Sequence, residues 1–193
     1  MTTTFPQHTL ETAPTESRPH LETVKKAYGS IPNLMATFAG SPALLEGYLA
    51  LGDIFDSLTA FDATERQVVL LATSYENECD YCMAAHTAIA GMQGVDADVI
   101  ESLRKGEPLA DTKLRALHDF TQAVVAKRGW VEDDDVQAFI TAGYTKRHVL
   151  EVVLGVGLKT LSNFTNHVAQ TPLDAQFKKF EWSRPAATAS ASA

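Results

Sequence analysis

Apolar positions recur three and four residues apart through most of this chain, the spacing of one face of a helix. Leu21, Val24 and Tyr28 do so before Gly29, and Leu114, Leu117, Phe120, Val124 and Val125 before Gly129. Start and stop residues divide the pattern into segments. Ser41-Pro42 reads as an N-cap followed by proline in the first turn of a helix to about Leu58. Asp62-Ala63-Thr64-Glu65 reads as a capping box ahead of the apolar run Val68 to Ala72. That run is rich in Val and Leu, but its cap and length favour helix over strand. Further helices are predicted over 15–28, 34–38, 79–92, 96–105, 112–128, 132–142 and 145–169. The acidic run Glu132-Asp133-Asp134-Asp135 is read as a helix start, where the dipole favours negative charge, and not as a cation site. Alternating strand patterns are absent, so the fold class is all-α. One helical domain is expected over 15–184, after a loose polar segment at 1–14 and before a low-complexity, disordered tail at 185–193.

With 193 residues and 45% apolar content, such a domain can bury a core without staples. The net charge of −8 argues against a nucleic-acid or anionic-membrane partner. No apolar run reaches the length of a membrane span, and the N-terminus lacks the basic flank and apolar stretch of a signal peptide. A cytoplasmic location is expected. Apolar residues fall on several helix faces, which leaves surplus apolar surface and predicts a homo-oligomer.

The candidate chemistry lies in Cys79-Asp80-Tyr81-Cys82-Met83-Ala84-Ala85-His86, which holds both cysteines of the chain. On a helix, Cys79, Cys82 and His86 share one face. In a reducing compartment a C-x-x-C pair is a poor structural staple, so redox or metal chemistry is the better reading. An imidazole one turn from a thiol can take or hold its proton. The bland readings are two buried cysteines and a core histidine. A zinc site would need a fourth ligand from afar, such as His118, His148 or His167, where structural zinc sites usually add a second close pair. No metal and no organic cofactor is expected. Met83, Ile89 and Met92 read as core.

The flanks of this motif identify a resemblance. Phe61-Asp62-Ala63-Thr64-Glu65-Arg66-Gln67-Val68-Val69-Leu70, followed by the cysteine run, resembles the alkylhydroperoxidase D and carboxymuconolactone decarboxylase family. Gly29-Ser30-Ile31-Pro32-Asn33-Leu34 is similar to an N-terminal segment of that family. Lys159-Thr160-Leu161-Ser162-Asn163-Phe164-Thr165-Asn166-His167 and Thr171-Pro172-Leu173-Asp174 are similar to the C-terminal end of its peroxidase-related members. The resemblance covers about residues 20–180. It implies an AhpD-like helical bundle that assembles as a dimer, trimer or hexamer. It implies a hydroperoxide reductase and disulfide reductase in which Cys82 attacks the peroxide and becomes a sulfenic acid. Cys79 then resolves it as a disulfide, and His86 relays protons. The partners implied are a hydroperoxide substrate and a thioredoxin-like or lipoyl-bearing dithiol reductant.

One position departs from the family. Its catalytic glutamate stands twelve residues before the first cysteine, and here that residue is Gln67. Glutamine can hold a water or orient the imidazole but cannot take a proton at neutral pH. Glu65 faces nearly the other side of the helix, and Glu76 or Glu78 would need a reentrant geometry to help. Asn163 and His167, four apart, are candidates to line the pocket. The rival functions are a non-redox lactone decarboxylase of the same family, which has no use for a cysteine pair, and a metal-binding or redox-sensing module without turnover.

Overall fold

The computed structural model describes residues 4–186. Nine α-helices occur among them: α1 Arg18–Tyr28, α2 Asn33–Phe38, α3 Pro42–Leu58, α4 Ala63–Glu76, α5 Asp80–Met92, α6 Ala97–Lys105, α7 Thr112–Ala126, α8 Asp133–Thr141 and α9 Lys146–Ala169. Short 3₁₀ turns precede α1 (Thr15–Ser17) and follow α9 (Ala175–Phe180). No strand occurs among the described residues, and the all-α expectation holds.

Local chemistry sets the ends as the sequence predicts. The Ser41 side chain accepts from Leu44 N–H at α3, and Asp62 and Glu65 close a reciprocal capping box on α4. Each such cap satisfies backbone donors that a helix start leaves unpaired, at about 1 kcal/mol. The acidic run opens α8, where Glu132 and Asp135 form another capping box and Asp135 pairs with Lys127.

Helix α4 is the hub. Every residue from Gln67 to Tyr75 is buried, because α5, α7 and α9 pack around it. The strand-like run Val68 to Ala72 is apolar all round for that reason: it is a central helix, not a surface one. Gly155 lets α9 come close to it, since a β-carbon there would lie 2.6 Å from Val69 Cγ1 and 2.8 Å from Phe55 Cε2.

Two apolar clusters result. The larger fills the space between α4, α7, α8 and α9. The smaller is built by Leu21 of α1, Leu34 and Phe38 of α2, Leu45 of α3, and Tyr81 and Ala85 of α5, and it contains both cysteines. Chain ends seal this second cluster, and here the sequence reading needs correction. The segment 1–14, expected to be loose, is anchored over its described part. His8 N–H donates to Ala36 O at 3.0 Å, Ala13 is buried, and Leu10 packs against the cluster. Two small apolar contacts are too sparse a pattern to read from sequence. Past α9, Leu173 and Phe177 cover the same cluster, and Trp182 is buried with its Nε1–H on Arg104 O at 2.7 Å. Of the tail expected at 185–193, residues 187–193 lie outside the described residues. Met92, expected in the core, is exposed at the end of α5, whereas Met83 is fully buried.

Candidate active site

The turn from α4 to α5 places the cysteines. It is completed in three residues, with Glu78 in the left-handed region at φ 54° and Cys79 N–H donating to Ser74 O at 2.9 Å. Cys79 is the N-cap of α5, and Cys82 sits one turn in. Both cysteines therefore lie at the positive end of the helix dipole, which favours thiolate. The cysteines are free thiols, buried, and 3.1 Å apart. One amide bridges them: Asn166 Nδ2 lies 3.2 Å from Cys82 Sγ and 3.7 Å from Cys79 Sγ.

The two thiols have opposite acidities. For Cys79, a hydrogen bond to Cys82, burial, and the neighbouring sulfur's charge all push it up. For Cys82, burial alone would push it up, but the hydrogen bond from Cys79, the charge of Lys159, and hydrogen bonds from Asn163 and Ser162 outweigh burial and hold it down. One sulfur of the pair is thus the anion and the other carries the proton.

His86, one turn beyond Cys82 on α5, bonds through Nδ1 to Gln67 Oε1 at 3.0 Å. Gln67 in turn donates through Nε2 to Gln93 Oε1 at 3.0 Å. A carbonyl oxygen can only accept, so this chain of amides assigns the imidazole proton to Nδ1 and leaves Nε2 as its free base. Burial, then the nearby Lys159 charge, holds His86 well below the ordinary histidine range, so it is neutral at pH 7.

Of the pocket candidates, Asn163 is fully buried on the site side of α9, taking a hydrogen bond from Asn77 and giving one to Ser74. His167 is exposed and stacks on Phe164, away from the sulfurs. Glu65 is occupied by Lys113 and its own cap, and Glu78 pairs with Arg184 on the surface. His118 bonds to Asp119 and His148 packs on Phe61 and Tyr144, so neither approaches the cysteines. Among the described residues no group of three or more His, Cys, Asp and Glu is placed to hold a metal ion.

Sequence reasoning missed Lys159, Ser162 and Asn166 as site residues. All three are buried on the face of α9 that meets the dithiol. Their signal was a polar stripe along a largely apolar helix: 162 and 163 stand three and four residues after 159, and 166 stands four and three after them. Tyr81, between the cysteines, makes a latch: its hydroxyl bonds to Asp174 Oδ2 at 2.5 Å and accepts from Leu34 N–H, while Asp174 also accepts from Asn33 N–H at 3.0 Å. It ties the segment after α9 and the start of α2 over the cysteines.

Residues 42–113 match the model of the carboxymuconolactone decarboxylase family. They span α3 to the start of α7, cysteine motif included. About nine-tenths of the chain also overlays on solved structures. One is the alkylhydroperoxidase AhpD core of an uncharacterized peroxidase-related protein from Ralstonia eutropha JMP134, at TM-score 0.80 and 23% identity, over 90% of this chain and 93% of that one. The chain thus has an AhpD-like all-α fold, and its segment 42–113 is similar to the carboxymuconolactone decarboxylase family. A similar AhpD-like fold occurs in an uncharacterized peroxidase-related protein from Silicibacter sp. TM1040, at TM-score 0.76 and 20% identity, over 92% of this chain and 97% of that one. It occurs too in the debrominase Bmp8 bound to 2,3,4-tribromopyrrole, at TM-score 0.77 and 15% identity, over 93% and 96%. At these identities the likeness is one of fold. No curated protein matches the chain. Among the described residues no helix is long and apolar enough to cross a membrane.

Proposed function

We propose that this protein is a thiol-dependent hydroperoxide reductase that cycles Cys79 and Cys82 between dithiol and disulfide. The observation that carries the reading is a buried C-x-x-C pair, 3.1 Å apart at a helix N-terminus, with unequal acidities. The Cys82 thiolate attacks the terminal oxygen of ROOH. The O–O bond breaks, giving Cys82–SOH and an alkoxide that takes a proton to leave as ROH. Cys79–SH then displaces water from the sulfenic acid, forming the disulfide. An external dithiol supplies the two electrons that reopen the disulfide; one of its protons goes to Cys79 and the other to solvent, leaving Cys82 a thiolate. His86, neutral with Nε2 free, shuttles the proton at the reactive sulfur. Leu34, Phe38, Leu45 and Tyr81 belong to the same apolar cluster as the sulfurs, surroundings that suit an organic hydroperoxide.

Mild hydroperoxide treatment is expected to remove two free thiols per chain and to leave no intermolecular disulfide on a non-reducing denaturing gel. Two thiols that survive the treatment would sink the cycle. They would return the site to a lactone decarboxylase, or to a metal-binding module if stoichiometric zinc is found.

The same reading includes a homo-oligomer. Leu150, Val153, Phe164 and Val168 form an exposed apolar stripe on α9, beside Ile54 and Leu58 of the adjoining α3. Contiguous apolar surface of this kind is rare on monomers. Light scattering at micromolar concentration is expected to give a multiple of 20.9 kDa. The double change Leu150→Glu and Val153→Glu should shift it to the monomer, and a wild-type monomer would refute the assembly.

A further inference from the structure

Lys159 lies in the middle of α9 with 1% of its surface exposed. Among the described residues, no carboxylate comes within 4.0 Å of its ammonium. A buried, unpaired ammonium is strongly disfavoured, so something here must hold its charge. The titratable groups about it are few. Tyr48 comes from α3, and burial pushes its phenol up, so it stays neutral. His86 on α5 is neutral for the reasons given above. Asp80, at the start of α5, is exposed, and Asp174 is bound by Tyr81 and Asn33. What remains is the sulfur pair.

We infer that Lys159 is the buried counter-ion of the reduced dithiol, a positioning residue that makes the Cys79–Cys82 disulfide a strongly oxidising state and a destabilising one for the fold. This rests on the reading that the two cysteines cycle. The mutual effects agree in direction. Burial works against the Lys159 charge, but the Cys82 sulfur holds it above the ordinary lysine range, while Lys159 helps hold Cys82 below that of a thiol.

The redox consequence follows from charge balance. Reduction by a dithiol R(SH)₂ breaks the S–S bond and oxidises the reductant to its disulfide. Of its two protons, one goes to Cys79 sulfur and one to solvent, because Cys82 remains a thiolate facing the ammonium. In the disulfide neither sulfur carries charge. Lys159 then either stays charged without a partner or gives up its proton, and both raise the free energy of the oxidised protein. A dithiol whose reduced form is selectively stabilised is a strong oxidant. By the same thermodynamic cycle, the disulfide lowers the stability of the fold instead of raising it.

The test uses the full chain and Lys159→Met, which keeps length and loses charge. Thiolate absorbance of the reduced protein is followed against pH, and the disulfide is equilibrated with glutathione buffers. In Lys159→Met the lower thiolate midpoint is expected to rise by about one pH unit or more. The equilibrium is expected to shift about tenfold or more toward disulfide, equal to roughly 30 mV for two electrons. Wild type is expected to melt at a lower temperature oxidised than reduced, and the variant to lose that gap. An unchanged midpoint and equilibrium constant in Lys159→Met would overturn the role of Lys159 while leaving the cycle intact. Should the variant not fold, the wild-type melts decide alone: an oxidised form that melts above the reduced form overturns the inference. A wild type that forms no disulfide at all overturns the cycle and the inference together.

Discussion

Cys82→Ser is expected to abolish reaction with a hydroperoxide, whereas Cys79→Ser reacts once and stops. The asymmetry comes from the two positions on one helix start. Only thiolate attacks the O–O bond effectively. Cys82 is the sulfur nearer the Asn166 amide, and it is the one that Lys159, Ser162 and Asn163 favour as an anion. Cys79 is held protonated by its hydrogen bond to Cys82, by burial and by the negative charge beside it. Removing Cys82 takes away that negative neighbour, but Cys79 remains a buried N-cap without an imidazole one turn ahead. In Cys79→Ser the attacking sulfur is intact and its resolving partner is missing, so oxidation halts at the sulfenic acid. Dimedone should label Cys82 in that variant after one equivalent of peroxide, with no catalytic consumption. Normal peroxide reactivity in Cys82→Ser would reverse the two roles.

Gln67→Glu is expected to accelerate thiol oxidation near neutral pH, by up to the ~10²–10⁴-fold that a positioned acid–base group contributes. In the native site the Gln67 carbonyl fixes the His86 tautomer at 3.0 Å but cannot share its proton. A carboxylate in that place keeps the hydrogen bond and adds a charge that offsets burial, making Nε2 more basic and stabilising the imidazolium as it forms. The gain exists only while the carboxyl is ionised. It is therefore present above the pKa of the new glutamate and fades as pH falls through it, giving an acid limb absent from wild type. Burial should raise that pKa above the ordinary carboxyl range. Stopped-flow oxidation of both proteins across pH reads the difference. Identical profiles would put position 67 outside the proton relay.

What the sequence made legible follows from the range of the physics involved. Caps, glycine stops and three-to-four periodicity act within one turn, so α3 and α4 begin at the caps those signals mark. The C-x-x-C-x-x-x-H spacing is equally local: Cys79 caps α5, Cys82 and His86 lie on it, and His86 bonds to Gln67 of α4. The long-range half of the site was hidden. Pairing Asn163 with His167 as i and i+4 selected one residue inside the polar stripe of α9 and one just past its edge. Which arc of α9 meets α4 is set by Gly155, whose missing side chain matters only through its contacts with Val69 and Phe55. Lys159 passed unnoticed because a lysine in a sequence reads as solvated surface. The sealing of the cysteines by Ala13, Leu173 and Phe177 was likewise invisible, since single contacts leave no periodic trace.

The Asn166 bridge has a consequence for how the protein is made. It joins residues 84 and 87 positions apart in the chain. At a synthesis rate of roughly 5–20 residues per second, the cysteines precede their α9 partners by about 4–17 s. Throughout that interval the nascent pair has neither the Asn166 amide nor the Lys159 charge, and its thiols react as ordinary, mostly protonated ones. On the proposed reading, peroxide sensitivity is acquired with the last long helix, and a ribosome-bound chain stalled before α9 is expected to carry the dithiol in a chemically quiet form.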